Sequence, residues 1–174
     1  MGNVKFITTL IVLSVDGQNN TVKEVNDILL EFGYSILEGV NSHFGLNELI
    51  NDKHLEDDYD VIREIKDLND DFNRLQHHPS GGSIKYSIQD EVEILIDFLT
   101  TDFNSIAAVV FYVDSSYAIE NKASFDKIYA NINQRLSIKG VLQAEYLSEL
   151  IDEEVEITNI LQGNINKEYE YIIS

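Results

Sequence analysis

Apolar and polar positions alternate with changing period along the chain, and each period predicts an element. The run VKFITTLIVLSV, residues 4–15, alternates at first and then turns fully apolar, the pattern of a buried strand ending at Asp16-Gly17. In TVKEVNDILLEFG, residues Val22, Val25, Ile28, Leu29 and Phe32 fall on one helical face. Thr21 and Glu24 stand at capping-box spacing before that face, and Gly33 follows it as a stop. YSILEG then predicts a short second strand, and SHFGLNELINDKHLE a connection containing one helical turn.

Val61, Ile62, Ile65, Leu68, Phe72 and Leu75 recur at helical spacing, so the pattern predicts an amphipathic helix from Asp58 to Leu75. HHPSGG breaks it with the one Pro of the chain. SIKYSI predicts a strand, and QDEVEILIDFLTTDF a helix with Asp90 and Glu91 in its first turn. Ile106 to Val113 is apolar on both faces and predicts an interior strand of a covered sheet. SFDKIYANINQRL and GVLQAEYLSELID predict two more helices, and VEITNIL and EYEYIIS predict closing strands. The expected fold is α/β or α+β, a single-layer mixed sheet of about five or six strands packed with four to five helices. No repeat, linker or low-complexity block divides the chain, so residues 1–174 are expected to form one domain.

The segment LIVLSVDGQNNTVKEVNDILLEFGYSI resembles the opening strand, helix and strand of a response-regulator receiver domain. That family needs a pair of acids after its first strand, whereas here Asp16 is followed by Gly17. Its phosphoacceptor Asp ends a third strand, where this chain has an acidic, helix-patterned segment. The likeness is that of generic βαβ patterning, and no site residue is carried over from it.

Charge changes the picture most. Thirty-one acids against twelve bases give a formal net charge of −19. A small domain is well served by a net charge of magnitude roughly 2–8, so the excess adds self-repulsion beyond what solubility requires. Direct nucleic-acid binding through basic patches and docking on anionic membranes are both disfavoured. A basic partner protein would instead be attracted over long range. With no Cys there is no disulfide, thiol nucleophile or thiolate-bound zinc. The apolar start is followed by DGQNN, not small residues suited to signal cleavage. Phe6 stands where a myristoylation motif needs Ser or Thr. The expected location is the cytoplasm.

Within the predicted Asp58–Leu75 helix, Asp60, Glu64, Asp67 and Asp71 repeat at +4, +7 and +11. At about 100° per residue they fall within a wedge of roughly 60°, and Asp57 joins them if the helix starts early. Glu145, Glu149, Asp152 and Glu156 repeat the same spacing in the second half of the chain. Like charges at i,i+4 destabilise a helix by roughly 0.2–0.5 kcal/mol a pair. Two such stripes are either solvated faces or a surface that imitates a phosphate ladder for a Lys/Arg-rich cleft.

Other chemistry is thinner. His43, His54, His77 and His78 lack the spacing of a metal-binding set. PSGGS lacks the Gly-Lys-Ser/Thr ending of a phosphate-binding loop and precedes a strand, not a helix. Asp114-Ser115-Ser116 lies at the end of the central strand, where α/β ligand sites occur, but no nucleophile elbow surrounds the serines. No cofactor is expected. The expected function is an acidic inhibitory binding protein, an immunity protein or a nucleic-acid mimic, covering a basic site on a nuclease toxin or nucleic-acid-binding protein. The alternatives are a small enzyme with a site near Asp16 and Asp114, or an acidic adaptor subunit.

Overall fold

The apolar run after Lys5 forms strand β1, Phe6–Leu13, in the computed structural model, which describes residues 5–14, 20–37, 44–46, 61–63, 68–76, 82–89, 91–100, 106–145, 159, 162 and 170–172. Helix α1, Val22–Glu31, follows with both ends as its signals require. The Thr21 hydroxyl accepts from the Glu24 N–H at 3.2 Å and caps the start. At the other end, Gly33 and Tyr34 donate to the Leu30 and Leu29 carbonyls, each at 3.0 Å. This is a Schellman ending, and Gly33 supplies its left-handed residue at φ 88°. Val22, Val25, Ile28 and Leu29 are buried as the helical spacing implies.

Three short strands come next: β2 (Ser35–Ile36), β3 (Phe44–Leu46) and β4 (Val61–Arg63). Helix α2, Leu68–Gln76, precedes the hairpin of β5 (Gly82–Ile88) and β6 (Val92–Thr100). The hairpin turn closes with the Glu91 N–H donating to the Ile88 carbonyl at 3.1 Å, and Gln89 takes φ 53° within it. Strand β7 (Ile106–Asp114) leads directly into α3 (Ser115–Glu120) and α4 (Lys122–Arg135), then β8 (Ile138–Glu145). Strand β9 (Glu170–Ile172) follows.

All nine strands join one open sheet in the order β4-β3-β5-β6-β7-β1-β8-β9, with β2 pairing β5 beside β3. Every pairing among the described residues is antiparallel. Strands β7 and β8 flank β1, so the α3–α4 connection carries the chain across it. The fold is α+β: among the described residues, five long strands form the body of the sheet, the four other strands have two or three residues each, and helices α1 to α4 accompany them. β7 is an interior strand, as its apolar run implies, and its residues 106–111 are buried on both faces.

Register sorts the core. Ile11, Val109 and Phe111 lie on the helix side, packed with Ile28, Leu29, Phe125, Ile128 and Ile132. Leu10, Val12, Ala108, Val110 and Leu142 alternate with them on the opposite face and are also fully buried. Burying a side chain of this size stabilises the fold by roughly 1.5–3 kcal/mol, so both faces contribute.

Three expected helices are corrected. The Asp58–Leu75 helix is interrupted, because Val61–Arg63 pairs as β4 with Phe44–Leu46 and only its last part becomes α2. Phe72 and Leu75 are buried there as expected. Residues 92–100 form β6, whose Ile94, Ile96 and Phe98 are buried at the strand period of two. Residues 140–145 belong to β8, held along β1 from Leu13 to Ile7. In each case a long-range ladder overrides local helical spacing.

Candidate functional site

The expected acidic stripes depend on unbroken helices, and the described residues interrupt both. Asp57, Asp60, Glu64 and Asp67 lie outside the described residues, while β4 occupies Val61–Arg63 between them. A strand alternates side chains between faces, so the +4, +7, +11 line is not generated through this stretch. Asp71 is described, in the first turn of α2, and it is 2% exposed. It belongs to the packed interior and not to an outer acidic face. A carboxylate there is favoured by the helix N-terminus. Glu145 is the last residue of β8, opposite Ile7, so the second stripe does not start on a helix either. Glu149, Asp152 and Glu156 lie outside the described residues.

Charge is unevenly divided along the chain. Of the ionisable side chains whose surroundings are described, eleven are acidic and seven basic. Most of the net charge of −19 therefore falls on the other segments. On the helix layer, four acids are paired with three cations. Lys23 and Asp27 pair at 2.7 Å, as do Lys122 and Asp126. Arg135, at the end of α4, grips Glu24 at 3.0 Å and Glu31 at 2.8 Å, joining α4 to α1. Its guanidinium is held further toward the charged form, first by the bond to Glu31.

Asp114, one of the two residues named for the enzyme alternative, has a structural task. The Asp114 carboxylate accepts from the Tyr117 N–H at 3.0 Å and caps α3, a structural task that explains the Asp-Ser-Ser sequence. Asp16 and the four histidines lie outside the described residues, as does most of PSGGS. Among the described residues, no group of three His, Cys, Asp or Glu side chains is placed to hold a metal. No helix among them is long and apolar enough to cross a membrane.

A second feature escaped the sequence reading. Between α3–α4 and the sheet lies a cleft of about 170 Å³, lined from β1, β7, α3, α4 and β8. Its walls are apolar, with Ile7, Val113 and Phe125 prominent. Its floor is polar: the Thr9 hydroxyl accepts from Tyr129 Oη at 3.3 Å and from Gln143 Nε2 at 2.8 Å. Thr9 is 1% exposed and shares the helix-side face with Ile11 and Phe111. Burial pushes the Tyr129 phenol up to about 12, so it stays neutral. Tyr129 also packs edge-on against Phe111 at 5.4 Å and tilted against Phe125 at 6.1 Å, which fixes its ring. Compared with protein-family models, curated proteins and solved structures, the chain finds no match.

Proposed function

We propose that this chain is an acidic inhibitory binding protein that covers a basic site on a partner protein, in the manner of an immunity protein or a nucleic-acid mimic. The observation carrying this reading is the division of charge. On the helix layer Lys23, Lys122 and Arg135 pair with Asp27, Asp126, Glu24 and Glu31, so much of its acidity is offset within the fold. In the sequence the acidic excess concentrates in residues 47–60 after β3, 64–67 after β4 and 146–156 after β8, which together hold thirteen acids against two Lys. An excess of charge of one sign is costly to the fold and useful for steering a partner of opposite sign.

The strand order adds a dimension. β4 is at one edge of the sheet and β8 stands next to the other. Six inter-strand steps separate them, on the order of 30 Å at the usual strand spacing. The two acidic stretches leave the sheet from strands that far apart, and in this proposal each offers carboxylates to a Lys/Arg-rich cleft. The partner class is a nuclease or another nucleic-acid-binding protein, whose basic groove presents that chemistry.

The test is affinity capture from the native host at low and high salt, with three baits. One is the wild-type chain, and the second carries Asn or Gln at Asp57, Asp60, Glu64, Asp67, Glu149 and Asp152. The third carries the same number of neutral replacements at the exposed acids Glu31, Asp70, Glu91, Glu93, Glu120 and Asp126. The expected result is one basic protein held by the first and third baits at low salt and released at high salt. Equal capture by all three baits would contradict the proposal.

A further inference from the structure

The cleft under α3 and α4 combines features that the charge-based reading does not use. Its volume of about 170 Å³ is close to that of an engineered apolar cavity, about 150 Å³, that accepts benzene. It is not simply a packing gap. Three hydrogen-bonding side chains from three separate elements converge on its floor, within a layer otherwise filled by Ile11, Val109, Phe111 and Val113. A Val at position 9 would fill the same space with no polar group to satisfy.

The hydrogen-bond inventory says what the floor still offers. Thr9 Oγ1 has two lone pairs, and Tyr129 and Gln143 donate to both of them. The lone pairs of Tyr129 Oη, the amide oxygen of Gln143 and its second N–H are left to a guest. That is a paired acceptor and donor, the complement of a hydroxyl group. No charge is placed at the floor, and the rim cation Lys122 is matched by Asp126 at 2.7 Å. A charged guest would therefore give up hydration without a counter-ion. Ile119 lines the same cleft and is 68% exposed, a large apolar side chain that a guest would cover.

We infer that this cleft is a binding site for a small neutral molecule with a single ring and one hydroxyl, the phenol class. The ring packs on Phe125, Val113 and Ile7, and the hydroxyl reaches Tyr129 and Gln143. The site is independent of the acidic segments and of the partner they are proposed to meet.

The test uses phenol and benzene as probes, followed by methyl and side-chain amide NMR shifts. Phenol should produce saturable shifts centred on Ile7, Val113, Ile119 and the Gln143 amide, with a Kd on the order of 1 mM or tighter. It should bind at least about fivefold more tightly than benzene, because the hydroxyl finds partners at the floor. A merely apolar void gives the opposite order, since burying an unpaired hydroxyl is unfavourable. Gln143→Met keeps the volume and should bring phenol down to or below benzene, while Ala118→Leu should weaken both. Benzene binding more tightly than phenol in the wild-type protein, or no saturable shift with either, overturns the inference. That comparison requires no variant, so it holds whether or not the substituted chains fold.

Discussion

Replacing Tyr86 by Phe removes one oxygen from the centre of the fold, and two separable consequences follow. Tyr86 on β5 is fully buried, and its hydroxyl donates to Asn26 Oδ1 on α1 at 3.0 Å. Asn26 is itself 4% exposed, so water does not readily replace the lost donor. The ring stays, so no large cavity opens. Leaving a buried acceptor unmatched costs about 1–3 kcal/mol. Removing both partners, in Tyr86→Phe with Asn26→Leu, should recover most of that loss, because the stranded carbonyl is gone as well.

The second consequence concerns pH. Burial is the main cause that raises the Tyr86 phenol far above its ordinary value of 10. The folded state keeps a proton that the unfolded chain releases, so the contribution is complete below pH 10 and falls as pH rises from there. The loss is about 1.4 kcal/mol per pH unit for this group. In the Phe variant the corresponding loss is missing. The stability gap between the two proteins, about 1–3 kcal/mol at neutral pH, should therefore close by roughly pH 11–12. Urea unfolding followed by circular dichroism between neutral pH and pH 11.5 reads both effects. A gap that stays constant across that range would refute the burial argument, and no gap at neutral pH would refute the hydrogen bond.

Two further substitutions probe the corrected geometry. Asp71→Ala should destabilise the fold by about 1–3 kcal/mol in the same urea assay, since a buried carboxylate leaves its surroundings unmatched; a solvated stripe residue would give no loss. Gly33→Ala should cost about 1–2 kcal/mol from the left-handed backbone alone, because a methyl group there meets only the Ile88 side chain, at an ordinary 3.6 Å from Cδ1 and 3.9 Å from Cγ1. A thermal midpoint unchanged within error would show that the α1 ending does not depend on φ 88°.

Where local signals decide structure, the sequence was legible. Thr21, Glu24 and Gly33 bracket α1, and the doubly apolar run of β7 announces an interior strand. Where two periods fit one segment, it was not. Val92, Leu95, Ile96 and Leu99 satisfy helical spacing, while Val92, Ile94, Ile96 and Phe98 satisfy a strand, and only pairing with β5 and β7 selects the second. β8 is likewise decided by β1, more than 120 residues earlier in the chain. The cleft floor joins Thr9 to Tyr129 and Gln143 across separations of 120 and 134 residues, which no local period encodes. The one hint was a polar Thr9 inside an apolar strand. The acidic excess was plain from composition, but its placement on a helix was not, because β4 interrupts the first expected stripe between Asp60 and Glu64 and β8 takes Glu145 from the second.

The central claim is that the segment acids, and not bulk charge, recruit a basic partner. Stopped-flow association with the captured partner tests it most directly, comparing the six-fold segment variant with the six-fold scaffold variant from about 0.1 to 1 M salt, where the Debye length shrinks from about 10 to 3 Å. Wild-type and scaffold-variant proteins should associate fast at low salt and slow by tenfold or more as salt rises. The segment variant should be slow throughout, with little salt dependence. Identical rates and salt slopes for the two variants would contradict the account, since they would place the attraction in total charge and not in the segments that carry the excess.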